Sequence, residues 1–240
     1  MTAYAGVGKI LRYNWPWYAG AVALTGLWAM VPATAWWSLP MLVAVSLGNG
    51  WLLLSLVVSH VIYDRSAIAH GGWLKGYAAA HVVVLHAGHD EASGPVRRLL
   101  PAAQVITFDV HDPQRRTSPS LRRARAEAAE SAMVIPVDRI PLPGSATDLV
   151  LMIFAAHEIR DQGARVALFR EVARIIGVSG RALVVEHQRD AWNLLAYGPG
   201  FAHFLSRRSW MRTFAQAGLQ VARDDRFTPW VHRFELRATP

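Results

Sequence analysis

From Tyr13 to Tyr63 the chain contains no Asp, Glu, Lys or Arg, and this run restricts the fold more than any motif elsewhere. A bilayer core about 30 Å thick takes roughly 20 apolar residues per helix, so the run holds two spans and not three. Pro40 marks the expected break. The first span is expected over about 16–37, with Trp15, Trp17 and Tyr18 at one end and Trp36 and Trp37 at the other, as in an interfacial aromatic belt. The second, over about 40–63, has Gly48, Asn49 and Gly50 near its middle, where small residues let two helices approach. Residues 1–64 are therefore expected to form an N-terminal transmembrane helical hairpin. Asn49 and Pro32 keep two alternatives open, an apolar core hairpin and an interfacial anchor.

Lys9 and Arg12 precede the run, Arg65 and Lys75 follow it, and the connection at 38–40 is uncharged. The positive-inside rule then places both ends in the cytoplasm, predicting a multi-pass protein of the cell membrane whose remaining domain is cytoplasmic. A cleaved signal peptide is the rival, but the apolar region is too long and continues into a second span. The chain has no cysteine, which removes disulfides and thiolate metal sites. Of the 25 basic residues only Lys9 and Lys75 are lysines, and the net charge is +8. Anionic lipid headgroups are the simplest partner for that excess. The densest basic stretch, Arg115, Arg116, Arg122, Arg123 and Arg125, has no interleaved aromatics for base stacking, so no nucleic-acid partner is expected. A second membrane protein docked on the hairpin is a further candidate partner.

Residues 65–80 read as a linker and 81–240 as one domain. His81 to His86 (HVVVLH) is the kind of short β-branched run that makes a buried parallel strand. Further strands are expected at Gln104 to Asp109, Ala132 to Val137, Thr147 to Phe154 and Arg181 to Glu186, with a basic helix at about 119–131 and an amphipathic one over Ala164 to Ile176. The tail adds a helix at Trp210 to Ala217 and a closing hairpin from Gln220 to Arg226 and Trp230 to Arg237. Strands alternating with helices imply an α/β, Rossmann-like, doubly wound sheet, seven-stranded once the closing hairpin is counted.

Ligands of such sheets bind beyond the carboxyl ends of the strands. That rule selects Ala87 to Glu91, Asp109 to Asp112, Asp138, His157 and Glu158, and Glu186 to Asp190. The first loop, LHAGHDEASG, has Gly88 at the sharp turn, but His89, Asp90 and Glu91 stand where a dinucleotide fingerprint has glycines. Two carboxylates opening a helix would repel a pyrophosphate. S-adenosylmethionine carries an ammonium and a sulfonium instead, and Asp109 is placed to accept its ribose hydroxyl protons.

The segments VDRIPLPGSATDLVLMIFAAHEI and EVARIIGVSGRALVVEH resemble the fourth-strand and fifth-strand passages of the class I S-adenosylmethionine-dependent methyltransferases. More closely, HAGHDE, FDVHDP, AAHEIRD, EHQRD and NLLAYGPGFAHFLSRRSW look like a membrane-anchored bacterial methyltransferase-domain group with a HAG-type first motif. The resemblance covers about residues 80–237. It implies S-adenosyl-L-methionine as cofactor, with Gly88 beside its methionine part, Asp109 on the ribose, Asp138 at the adenine edge and Phe154 and Ala155 as walls. His86 stands where the superfamily usually has an acid.

Methyl transfer is an in-line displacement, so the protein aligns the partners and removes at most one proton. His157, Glu158, His187 and His203 are the candidates for the base, with His157 and His187 put first as catalytic. Glu158 and Glu186, at strand ends, are candidates for the substrate side, as are Tyr197, Phe201 and His203, because the segment Asn193 to Trp210 follows the fifth strand, where the superfamily often inserts its recognition element. That segment is expected to line a pocket, dip into the bilayer or pack in the core. His157-Glu158 and Glu186-His187 have ligand chemistry but no diagnostic metal spacing, so no metal is assigned. The expected function is methyl transfer to a lipophilic small molecule or lipid at the cytoplasmic face. The alternative is a catalytically silent protein that uses the same fold for ligand binding or assembly, which the glycine-poor first motif favours.

Overall fold

The computed structural model describes residues 4–32, 34–110, 119–127 and 132–239. The β-branched runs form the strands. β1 (His81–His86), β2 (Gln104–Val110), β3 (Met133–Ile135), β4 (Leu149–Ile153) and β5 (Arg181–His187) are parallel, and β6 (Leu219–Thr228) and β7 (Val231–Ala238) close the sheet antiparallel. The seven strands run in the order β3-β2-β1-β4-β5-β7-β6. The order reverses between β1 and β4, which makes the carboxyl ends of those strands the switch point where ligands bind. The third strand is shorter than expected, and 128–131 of the basic helix lie outside the described residues, leaving α4 as Pro119–Glu127.

Side chains alternate across the pleat, so each strand feeds two cores. On one face Val83, Leu85, Val150, Met152 and Val184 pack with α5 (Gln162–Ile176) and α7 (Arg207–Gln216), through Leu168, Phe169, Trp210 and Phe214. On the other, Val82, Val84, Leu151, Leu183 and Val185 pack with Val96 of α3 (Ser93–Leu99) and with Val58, Ile62, Ile68, Trp73 and Leu74. Trp73 and Ile62 are fully buried. The stretch 65–80, expected as a linker, is therefore part of the domain, and so is the end of the N-terminal hairpin.

That hairpin consists of α1 (Ala5–Ala29) and α2 (Ser38–His60), the latter continuing as a π turn to Arg65. The break falls between Ala29 and Ser38 rather than at Pro40, which sits in the first turn of α2, where a missing N–H leaves no helical bond unmade. Trp36 and Trp37 lie in the connection. α1 kinks at Asn14, two residues before Pro16, and the Asn14 amide bonds the Ile10 carbonyl at 3.0 Å. Gly48 and Gly50 have open space where a Cβ would stand, so they are not what brings the helices together. The helices are instead linked by Asn49 Nδ2 donating to Thr25 Oγ1 at 2.9 Å, and by Asp64, which accepts the N–H groups of Gly6 and Val7 at 2.6 and 2.9 Å and so satisfies the start of α1. Among the described residues one helix, Ser38–Arg65, is long and apolar enough to cross a membrane, with a mean hydropathy of 2.0. α1 does not reach that measure: beyond Lys9 and Arg12 its charge-free part still holds Tyr13, Asn14, Trp15, Pro16, Trp17, Tyr18 and Thr25, and absence of charge is not the same as apolarity. The two-span transmembrane expectation is therefore not confirmed: among the described residues one helix reaches the measure and α1 does not.

Candidate active site

The parallel register sets His86 opposite Asp109 at the ends of β1 and β2. Past β1 the chain turns at Gly88, whose φ of +89° suits glycine, and its N–H bonds His86 Nδ1 at 3.1 Å. Arg125 of α4 forks both Asp109 oxygens at 2.8 and 3.0 Å. Its stem crosses Gly88 so closely that a Cβ there would lie 2.5 Å from Arg125 Cγ. His86, Gly88, Ser93, Thr107, Asp109 and Arg125 are among the residues lining an open cleft of about 1020 Å³. The loop acids are engaged by the protein itself. Asp90 accepts the N–H groups of Ala92 and Ser93 at the start of α3. Glu91 meets His89 at 2.6 Å and Lys9 of α1 at 3.4 Å. Burial pushes the Glu91 carboxyl up, but these two neighbours outweigh it and hold it below the usual range. Asp138 is exposed in the turn after β3 and is not among the residues lining the cleft.

Past β4 the turn is made by Phe154 at φ +52°, a conformation that costs a non-glycine residue on the order of 1 kcal/mol or more. It brings the short turn Ala156–Glu158 across the end of β5. There His157 donates twice to Glu186, from its backbone N–H at 3.2 Å and from Nδ1 at 2.6 Å. Glu186 is completely buried. His157 Nε2 faces Glu158 Oε1 at 3.5 Å, and His203 Nε2 reaches the same oxygen at 3.2 Å. Burial alone would lower the His157 pKa, but Glu186 and Glu158 together push it up to about 10. Glu158 is itself held below its usual range: burial raises it, and the His157 hydrogen bond and the charges of His157, Arg160 and Arg125 more than reverse that.

His187 is one residue further along β5 and in a different environment. Its Nδ1 lies 3.2 Å from both Asn193 Oδ1 and the Trp230 carbonyl, two acceptors, so Nδ1 carries the proton and Nε2 accepts from Tyr63 Oη at 2.9 Å. Phe154 and Phe204 stack on its faces at 5.0 and 4.7 Å, and Tyr63 and Tyr197 meet it edge-on. Burial, then the charge on His157, push its pKa down to about 3. The ring is neutral and enclosed.

Of the residues selected from sequence, the structure thus gathers His157, Glu158, Glu186 and His203 into one cluster, with His86, Gly88 and Asp109 at the neighbouring strand ends. Phe154 and Tyr197 surround His187, Ala155 is buried beneath the turn, and Phe201 is half-buried in the turn Gly198–His203. Tyr63, Arg125, Asn193 and Phe204 were not selected. Tyr63 was counted as the last residue of a membrane span and Arg125 as surface charge. Phe204 carried a usable signal, since it lies next to His203 in a segment already marked.

The two histidines set opposite limits on stability. His187 is protonated in the unfolded chain below about pH 6.5 but not in the fold, so stability should fall as pH drops from about 6.5 toward 3. His157 holds its proton in the fold up to about 10, so its contribution is complete below about 6.5 and lost as pH rises through 10. Thermal unfolding across pH 4–10 should show a maximum near neutrality, and His187→Gln should flatten the acid limb. An acid limb unchanged in that variant would assign it to other groups.

Beside this cluster α6 (Ala191–Tyr197) rests on α2. Trp51 Nε1 donates to the Leu195 carbonyl at 2.7 Å, and Gly198, at φ +55°, packs against the Trp51 ring. Asn193 and Ala196 point inward, while Trp192, Leu194 and Leu195 are exposed. No charged residue occurs between Ala191 and Ser206.

No protein-family model matches the chain, and no curated protein matches it in sequence. Solved structures do. The mitomycin 7-O-methyltransferase MmcR is 18% identical, with all of this chain and 74% of that one covered, at a TM-score of 0.56. A SAM dependent methyltransferase from Aquifex aeolicus is 13% identical over 78% of this chain and 97% of that one, at 0.53. The O-methyltransferase NcsB1 from neocarzinostatin biosynthesis, in complex with S-adenosylmethionine and 2-hydroxy-5-methyl naphthoic acid, is 20% identical over 81% of this chain and 58% of that one, at 0.50. At these identities the likeness is one of fold.

Proposed function

We propose that this chain is an S-adenosylmethionine-dependent methyltransferase held at a cytoplasmic membrane face by α1 and α2, and that it methylates a lipophilic acceptor. The observation that carries the reading is the meeting of two strand-end features: an acid and a left-handed glycine at the ends of β2 and β1, and a His–Glu cluster at the end of β4. In the class I fold these are the places for the cofactor and for the atom that receives the methyl group. Asp109 would accept the ribose hydroxyls, Gly88 would admit the methionine part, and the cofactor would supply an electrophilic methyl on a sulfonium. The acceptor's proton would leave toward His157 and Glu158, with Glu186 holding the His157 ring in place. His187 is better read as a positioning residue, since its ring is enclosed and its bond to Tyr63 ties β5 to the end of α2. The exposed apolar residues of α6, continuous with those of α2, support a lipophilic acceptor and the bilayer as partner. Asp138, exposed beyond β3, would meet the adenine edge only across the turn.

A second reading is favoured by one contact. Arg125 occupies Asp109 and the space over Gly88, which in a catalytically silent protein would be the resting and final state. Calorimetric titration of the full chain in detergent with S-adenosylhomocysteine separates the two. Asp109→Ala removes hydrogen bonds to a charged group, each worth about 1.5–3 kcal/mol, and should weaken binding at least tenfold. Arg125→Ala should strengthen binding by releasing Asp109. Absence of binding in both the wild type and Arg125→Ala would favour the silent reading.

A further inference from the structure

We propose that His157, Glu158 and His203 form a binding site for a divalent transition-metal ion of the zinc class, at the end of β4 where the acceptor is expected. Glu158 Oε1 lies 3.5 Å from His157 Nε2 and 3.2 Å from His203 Nε2, and the three donor atoms lie within 4.8 Å of one another. Zinc bonds to imidazole nitrogen and carboxylate oxygen of about 2.0–2.2 Å set tetrahedral ligands roughly 3.3–3.5 Å apart, so both Glu158 distances are within about 0.1 Å of that range, and any donor pair nearer the 4.8 Å limit would close in on the ion. Two imidazoles and one carboxylate leave a fourth position open, the donor pattern of sites that act on a bound oxygen.

A second observation points the same way. His157 gives its Nδ1 proton to Glu186, which is completely buried and also takes the His157 backbone N–H. A ligating histidine nearly always donates its other ring N–H to a carboxylate, a backbone carbonyl or water, and Glu186 is such a partner, setting the tautomer and leaving Nε2 for the metal. Two groups oppose the ion: the proton that His157 carries on Nε2 toward Glu158, which the ion must displace, and Arg160. The Arg160 guanidinium meets both Nδ1 and the carbonyl of His203. For His203 to ligate through Nε2, Nδ1 must carry the proton, so Arg160 has to leave Nδ1 and keep the carbonyl. Arg160 is exposed.

The metal's role rests on the proposed methyltransferase reading; its binding does not. With His157 and Glu158 engaged as ligands they would not take the acceptor's proton; a hydroxyl at the open position would lose it to water instead, and more readily than when free. The oxygen lone pair then forms the O–CH3 bond while the C–S bond breaks, its electron pair staying on sulfur to give the thioether.

Tag-free full-length protein in detergent, stripped with chelator and desalted, should bind one Co²⁺ per chain with a visible spectrum of four- or five-coordinate geometry, and Zn²⁺ should displace it. Affinity should fall at least 100-fold in His203→Asn and Glu158→Gln. Glu186→Gln should lower it roughly 10- to 100-fold by loosening the His157 ring. X-ray absorption of the zinc-loaded wild type should count two imidazoles, which keeps the test decisive if a variant misfolds. Wild-type affinity no higher than that of both variants, or fewer than two imidazoles, overturns the site. Titrating the same samples with S-adenosylhomocysteine separates the failures. Cofactor binding without metal binding removes the metal site alone, and metal binding without cofactor binding removes the methyltransferase reading alone.

Discussion

Replacing His157 with alanine should lower methyl transfer by roughly 10² to 10⁴ while leaving S-adenosylhomocysteine affinity within a fewfold of wild type, because its contribution is made in the transition state. The residue lies one turn past β4, and both faces of its chemistry are supplied: Nδ1 is bonded to a buried carboxylate and Nε2 opens toward Glu158 and His203. The pH profile divides the accounts. With its pKa pushed to about 10, a His157 that takes the proton itself is mostly protonated near neutrality, so the rate should climb with pH toward 10. A plateau near neutrality would instead assign the proton to Glu158, or to a hydroxyl acidified before transfer. His187→Phe is the contrast: it should reduce stability far more than turnover per folded molecule. If a transferable acceptor is found and His157→Ala methylates it within a fewfold of wild type, alignment alone is the better account of catalysis.

Removing residues 1–57 should move the protein from the membrane fraction to the soluble one, and removing residues 1–63 should leave no folded domain. The difference lies in the last turns of the N-terminal hairpin. Val58 and Ile62 sit in the core beneath β1, β4 and β5, and Tyr63 holds His187. Truncating a single buried isoleucine costs about 2–5 kcal/mol, and the whole stability of a domain is about 5–15 kcal/mol. Losing all three side chains and the helix that carries them should exceed it. Fractionation after carbonate and salt washes, with circular dichroism of each fragment in mild detergent, checks both halves. A 58–240 fragment that still resists those washes would mean that α1 and α2 are not the principal anchor, while weak residual attachment through Trp192, Leu194 and Leu195 is compatible with it.

The strands were legible because β-branched runs such as HVVVLH leave little choice of conformation, and His157 and Glu186 stand out in the sequence as residues at strand ends. The pairing of Glu158 with His203 was not, because it joins the end of β4 to a turn after β5, a long-range contact that no local spacing encodes. Pro40 misled as a breaker because proline is tolerated in a first helical turn. The segment 65–80 read as a connector because Trp73 and Leu74 form too short an apolar run to show a period, though they fill the core. Arg125 lay in a basic stretch that looked like solvated surface. Only the fold shows that its side chain reaches back to Asp109.

The hydrogen bond from Tyr63 to His187 also fixes a distance. Trp51, seated on α6, and Tyr63, seated on the end of β5, lie on the same helix, about 15–18 Å apart along its axis. A catalytic domain on a flexible tether could sample any height above a bilayer. A domain bolted to its own helix at two levels cannot, so under the proposed membrane-held methyltransferase reading acceptors would be sorted by how far their reactive atom stands from the apolar layer as well as by their shape. Lengthening α2 by one turn between those two contacts should therefore change which acceptors are used before it changes how well any of them binds.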